Sequence, residues 1–156
     1  MRRVILSAVL AASLAACAAG DQITMEKPAG YVSLAPVRTA GIPWVRMRPV
    51  TVDLTEYAFS PDTLTFEAGV PYRLVIHNAG GSRHTFVSEG FFKAIAVRRL
   101  IAGKKTSDYP FIQTIELEPG ATKELQFLPM RRGTYPLHCS VTLHESFGMK
   151  GGITVK

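Results

Sequence analysis

The sequence contains few residues that could form disulfides or bind soft metal ions: its 156 residues include two cysteines, four histidines and five methionines. It also has no basic stripe interleaved with aromatic side chains, since its basic residues are scattered apart from short runs such as Arg98–Arg99 and Arg131–Arg132. This distribution argues against DNA or RNA binding. The formal net charge is +6, and it falls to +4 if Arg2 and Arg3 are lost with a leader. A charge of this size suits an acidic protein partner.

One apolar run, Val4–Ala16, follows Arg2 and Arg3 at the amino terminus. It is too short to span a bilayer and is typical of an export signal, so we expect residues 1–16 to be a signal peptide. The run ends Leu14-Ala15-Ala16-Cys17, which resembles a bacterial lipobox and predicts acylation of Cys17. The alternative is an ordinary signal-peptidase site near Ala16-Cys17-Ala18, and mass spectrometry of the native amino terminus distinguishes the two.

Export and lipidation together predict a lipoprotein on the periplasmic face of a bacterial membrane. Ala18 after Cys17 implies the outer membrane in a Gram-negative organism, whereas a chain released by signal peptidase would be soluble in the periplasm. Two cysteines in an exported chain would ordinarily suggest a disulfide. A lipid on Cys17 instead leaves Cys139 as the free thiol.

Residues 17–48 are rich in glycine and proline and lack a sustained periodicity, so we predict a lipidated amino terminus and tether there. Residues 49–156 form one predicted domain. Its short alternating segments, separated by turn sequences, are typical of an all-β sandwich or barrel. We predict strands at residues 52–59, 63–67, 72–77, 84–88, 111–117, 122–127, 134–139 and 153–155.

A different periodicity interrupts these strands in the region 89–107. Phe92, Ala96 and Leu100 recur at four-residue steps, and Gly103 is placed to end a helix. We therefore predict one short helix, Phe91–Ile101, inserted into the sandwich.

Three residues with side chains that bind soft metals lie at even spacing near the end of the sequence. Cys139, His144 and Met149 are five positions apart, between two predicted strands, and His84 can supply a second imidazole. Two imidazoles, one thiolate and a weak axial thioether suit copper in electron transfer.

The spacing Cys-x4-His-x4-Met and the ending Gly-Met-Lys-Gly-Gly-Ile-Thr-Val closely resemble the cupredoxins, the type 1 blue copper proteins that include rusticyanin and plastocyanin. The resemblance covers about the last two thirds of the chain. It implies a Greek-key β-sandwich with one type 1 copper ion held by His84, Cys139, His144 and Met149. It also implies single-electron transfer with redox proteins such as cytochromes or copper oxidases, without enzymatic activity or a small-molecule substrate.

Two other histidines, His77 and His138, are alternative candidates for a metal ligand. His77 lies within a predicted strand, whereas His84 follows a glycine-rich loop and precedes Thr85, as the first histidine of cupredoxins commonly precedes a short polar residue. Thr85 is then expected to hydrogen-bond to the cysteine loop and steady it. His138 neighbours Cys139 on a strand, so the two side chains should point to opposite faces.

Other functions for these residues remain open. A periplasmic copper carrier or buffer is the main alternative, although such proteins usually carry exposed stretches rich in methionine and histidine. A cupredoxin-fold interaction module without metal is a third possibility. A Cys–His hydrolase would need an orienting third group and an oxyanion site, and structural zinc sites favour more thiolates and no thioether.

Overall fold

The computed structural model of the protein describes residues 28–32, 41–108 and 111–156. The predicted signal peptide, the lipidation site Cys17 and most of the predicted tether lie outside these ranges. Within the described ranges no helix is long and apolar enough to cross a membrane. A 3-10 turn at Trp44–Arg46 leads into the strands β1 (Arg48–Thr55), β2 (Ala58–Ser60), β3 (Thr63–Phe66), β4 (Tyr72–Asn78), β5 (His84–Phe86), β6 (Ile95–Ala102), β7 (Lys105–Ser107), β8 (Ile115–Leu117), β9 (Thr122–Pro129), β10 (Gly133–His138) and β11 (Lys150–Val155), with one helix, α1 (Glu89–Ala94).

The strands form two layers. One layer is a six-stranded sheet in the order β2-β1-β4-β9-β6-β7. The other combines the ladders β10-β11-β3 and β5-β8, which Val87 and His138 join by reciprocal backbone hydrogen bonds of 3.1 and 3.0 Å. The predicted all-β sandwich with a short helix is confirmed.

Aromatic and aliphatic side chains fill the space between the layers. Along β4, Tyr72, Leu74 and Ile76 are buried while Arg73 is exposed, as the two-residue alternation of a strand requires. Phe66 of β3 lies among aromatic rings, with its ring centroid 4.9 Å from that of Tyr72 and 5.1 Å from that of Phe127. This packing holds the two layers against each other and so fixes the relative positions of the loops that connect their strands.

The predicted helix Phe91–Ile101 is largely wrong. The helix ends at Ala94, and Ile95–Ala102 is strand β6, which pairs with β9 inside the six-stranded sheet. A bulge between Val97 and Arg99 places Ala96 opposite Leu128 and Leu100 opposite Leu125, so the four-residue spacing of Ala96 and Leu100 does not correspond to one face of this strand. Pairing with β9 satisfies the backbone of this segment in the extended form.

Two strand predictions also need correction. The predicted strand 52–59 is two strands, because Glu56 and Tyr57 form a tight turn that reverses the chain from β1 into β2. The predicted strand 111–117 is shorter, since only Ile115–Leu117 pairs, with β5. The carbonyl oxygen of Ile112 accepts a hydrogen bond from the hydroxyl of Tyr31 at 2.9 Å instead of one from a neighbouring strand.

Parts of the predicted tether pack on the sandwich. Tyr31 is buried, and its ring meets that of Phe111 edge-on at 5.4 Å. The guanidinium of Arg98 lies over the ring of Trp44, 5.0 Å from its centroid, a distance at which a cation and an aromatic face attract. These contacts attach Tyr31 to the segment before β8 and Trp44 to β6.

Candidate metal centre

The loop from Cys139 to Met149 connects β10 to β11. The backbone N–H of Cys139 donates to the carbonyl oxygen of Met149 at 3.2 Å, and the N–H of Met149 donates to the carbonyl oxygen of His144 at 3.0 Å. These bonds close the loop on itself and bring the three residues together. Gly148 has φ of 105°, a conformation that favours glycine, and this permits the final turn into β11.

The side chains of His84, Cys139 and His144 converge in the interior. Their metal-binding atoms all lie within 4.8 Å of one another. The Nδ1 atoms of His84 and His144 are 3.1 Å apart, and the Sγ of Cys139 is 3.6 Å from the Nδ1 of His144. His84 and Cys139 are fully buried, and His144 is 9% exposed.

This arrangement could hold a metal ion. Nitrogen and sulfur ligands bound to one zinc ion at about 2.0–2.3 Å must lie roughly 3–4 Å from each other, and the Nδ1 of His144 has that spacing to the Nδ1 of His84 and to the Sγ of Cys139. Met149 is fully buried at the end of the same loop. One thiol, two imidazoles and a neighbouring thioether are the donor types that suit copper.

The electrostatic surroundings favour neutral imidazole at His84. Burial lowers the pKa of His84 below its ordinary value, the nearby His144 lowers it further, and Glu56 opposes both effects. The ring is therefore neutral near pH 7, as a metal ligand must be.

Thr85 links the first histidine to the cysteine. Its backbone N–H donates to the Sγ of Cys139 at 3.4 Å, and its hydroxyl lies 3.5 Å from the same sulfur. The N–H of Ser140 donates to the Oγ1 of Thr85 at 2.7 Å. The Cys139 sulfur and the start of the Cys139–Met149 loop, which we call the ligand loop, are thus held against β5.

The other two histidines lie apart from this cluster. His77 is on β4, where its Nδ1 is 3.0 Å from the Oδ1 of Asp53 and its side chain is 39% exposed. His138 ends β10, opposite Lys150 of β11 and joined to Val87 through the backbone. The structure therefore groups His84, and neither His77 nor His138, with Cys139 and His144.

The turn between β1 and β2 contributes two residues that the sequence did not indicate. An Oε1 of Glu56 lies 3.5 Å from the Nε2 of His84. The ring of Tyr57 meets that of His144 edge-on, with centroids 4.9 Å apart. Nothing in the local sequence Thr-Glu-Tyr-Ala distinguishes this turn from any other exposed turn, so only the tertiary structure places it at the histidines.

Exposed apolar side chains surround His144. Leu143 and Phe147 are each 60% exposed, and the ring of Phe147 lies 4.9 Å from that of Tyr57. Leu143 has φ of 68°, an uncommon backbone conformation for a residue with a branched side chain. We call Tyr57, Leu143 and Phe147 the apolar patch.

Comparison with known proteins identifies the fold family. Residues 45–155 match the family described as the cupredoxin-like domain. No curated protein matches the chain at a significant level. Similar solved structures include a multicopper oxidase from Campylobacter jejuni, described as a metallo-oxidase, with a TM-score of 0.55 and 16% identity over 71% of this chain and 30% of that chain.

Two further structures extend the comparison. The copper nitrite reductase from Nitrosomonas europaea has a TM-score of 0.55 and 14% identity over 70% of this chain and 49% of that chain. Auracyanin from Roseiflexus castenholzii has a TM-score of 0.49 and 17% identity over 69% of this chain and 96% of that chain. This chain thus spans less than half of the oxidase and about half of the reductase. The similarity to the oxidase and the reductase, at 16% and 14% identity, indicates a common fold alone, while the match over residues 45–155 shows that the chain belongs to the cupredoxin-like domain family.

Proposed function

We propose that this protein binds one type 1 copper ion and transfers single electrons between redox proteins in the periplasm. The observation that carries the proposal is the buried convergence of His84, Cys139 and His144, with donor atoms within 4.8 Å of one another. Met149 is the proposed axial ligand, because it is buried and its backbone is bonded to both Cys139 and His144. Copper, when bound, supplies the change of valence that one-electron transfer needs.

The surrounding residues support electron transfer in two ways. The backbone bonds of the ligand loop and the contacts of Thr85 hold the donor atoms in place, so little rearrangement accompanies a change of charge. His144, which is 9% exposed, lies directly beneath the apolar patch, with its ring against that of Tyr57, and an exposed patch of this kind suits brief docking of a partner protein. The burial of His84 and Cys139 argues against a copper carrier, whose metal must exchange readily with solvent or with another protein.

The proposal predicts an intense visible absorption band when Cu(II) is added to the purified metal-free protein. The thiolate of Cys139 is the source of this charge-transfer band, because it donates electron density to Cu(II). Absorption spectroscopy during a titration with Cu(II) measures both the band and the stoichiometry, which we expect to be one ion per chain. A colourless complex, or no complex, would refute the proposed site.

Replacing Met149 tests its proposed role as axial ligand. Leucine donates nothing to the metal, so Met149→Leu should raise the reduction potential, and Met149→Gln should lower it because an amide oxygen is a harder donor. A tenfold change in the relative stability of the two valences corresponds to about 59 mV, which voltammetry resolves easily. Met130→Leu is the matched control, since Met130 is a partly exposed methionine between β9 and β10. If both Met149 variants keep the colour and an unchanged reduction potential, Met149 packs in the core and does not bind the metal.

A further inference from the structure

The Nε2 atom of His84 has an unusual environment. It is buried, and no group among the described residues makes a hydrogen bond with it. An imidazole nitrogen left without a partner in a protein interior is costly, because burial removes the water that would otherwise solvate it. The nearest charged group is the carboxylate of Glu56, whose Oε1 lies 3.5 Å away.

The structure holds Glu56 in this place. Its Oε1 accepts a hydrogen bond of 2.8 Å from the backbone N–H of Ser82. That bond lowers the pKa of Glu56, so the carboxylate is charged at neutral pH. The 3.5 Å distance from Oε1 of Glu56 to Nε2 of His84 slightly exceeds that of an ordinary N–H···O bond, about 2.7–3.2 Å, and a small rotation of the partly exposed Glu56 side chain would bring it into that range.

The loop before His84 leaves space for this carboxylate. A Cβ at Gly80 would lie 2.7 Å from both carboxylate oxygens of Glu56, whereas a Cβ at Gly81 would lie 3.9 Å from the nearer one. The side chain of Asn78 fixes the loop, since its Oδ1 accepts from the N–H of Gly80 and its Nδ2 donates to the carbonyl oxygen of Ser82. Glycine at position 80 therefore allows the close approach of Glu56.

We infer that Glu56 is a positioning residue for His84: its carboxylate accepts the Nε2–H of the ring and so fixes the tautomer whose Nδ1 is free to bind metal. The Nδ1 of His84 then accepts a hydrogen from the Nδ1 of His144, 3.1 Å away, in the metal-free protein. Carboxylates that orient metal-binding histidines in this way typically change metal affinity or activity 10- to 100-fold. The inference rests on the proposed metal site, and it adds that a negative charge beside His84 favours Cu(II) over Cu(I).

Two measurements test the inference separately from the proposed function. The first is ¹⁵N NMR of the histidine rings in the metal-free protein at pH 7. We expect His84 to carry its proton on Nε2 in the parent protein and to shift toward the Nδ1-protonated form in Glu56→Ala. Because no metal is present, this result stands whether or not the copper proposal does. An unchanged tautomer in Glu56→Ala would overturn the inference.

The second measurement is the Cu(II) affinity, determined by competition with a chelator. We expect a loss of about tenfold or more in Glu56→Ala. If the Cu(I) affinity is unchanged, each tenfold loss raises the reduction potential by about 59 mV. Glu56→Gln should retain the Nε2–H tautomer, because its amide oxygen can still accept, yet it should show the raised potential because the charge is gone.

A pair of glycine variants provides a matched control that leaves Glu56 itself intact. Gly80→Ala should displace the flexible carboxylate and reproduce the tautomer shift and the affinity loss of Glu56→Ala, while Gly81→Ala should leave both unchanged. Equal behaviour of the two glycine variants would overturn the inference. If the parent protein shows the expected tautomer but binds no Cu(II), the proposed function fails and the positioning role of Glu56 remains.

Discussion

Replacing Cys139 with serine is expected to abolish the visible absorption band of the copper-loaded protein completely. The thiolate is the proposed origin of the band, and a serine hydroxyl stays protonated and binds copper poorly. The fold should survive, because the serine Oγ can still accept the hydrogen bond that the N–H of Thr85 donates to the sulfur. We expect the free energy of unfolding of the metal-free protein to change by roughly 1 kcal/mol, the net worth of a typical hydrogen bond.

Thermal unfolding with and without Cu(II) gives a second readout of the same change. A ligand present at a thousand times its dissociation constant stabilises the folded state by about 4 kcal/mol, so copper should raise the melting temperature of the parent protein and leave that of Cys139→Ser unchanged. His138→Gln is the control, because His138 adjoins Cys139 but lies outside the cluster. Retention of the band in Cys139→Ser would show that another residue supplies the sulfur ligand.

Removing the imidazole of His84 should open a coordination position that added imidazole refills. The ring is fully buried beside Cys139 and His144, so His84→Gly leaves a polar cavity of the shape of imidazole. We expect the colour of the copper complex to be lost or altered and then restored as imidazole is titrated in. Absorption spectroscopy follows the restoration directly.

His77→Gly is the matched control for this experiment. His77 contacts Asp53 at the surface, an exposed pair whose interaction is worth at most about 1 kcal/mol, and it contributes no atom to the cluster. This variant should bind copper with an unchanged spectrum and should not respond to imidazole. If the two variants behaved in the opposite way, His77 would be the first histidine ligand.

The sequence predicted the fold class well because two-residue alternation is a direct consequence of strand geometry. In β4 the buried positions 72, 74 and 76 were evident from side-chain type alone. The helix prediction failed at Ile95–Ala102, because pairing with β9, with a bulge between Val97 and Arg99, determines the conformation there and the four-residue spacing does not. The short strand β7 was missed, and β2 was merged with β1 into one predicted strand, because three-residue segments carry too little periodicity.

Only part of the candidate site was predictable from the sequence. Cys139, His144 and Met149 lie close together in the sequence, so their donor types and spacing can be recognised from that stretch alone. The contact of Glu56 with His84 depends on how the β1–β2 turn packs against the loop before β5, 26 residues further along the chain at Ser82. Contacts of this kind arise from tertiary packing, and no local sequence pattern predicts them.

The position of β11 in its sheet has a consequence for the order of folding. This strand follows the ligand loop and lies between β10 and β3, with Ile153 opposite Leu64, so its docking joins distant parts of the chain. Such non-local pairing is slow to form, because the entropy of closing long loops must be lost before the contacts are gained. The ligand loop is closed only when both of its flanking strands are in place. If the site binds copper as proposed, we expect metal capture to follow the docking of β11, and the appearance of the metal complex would then report that step.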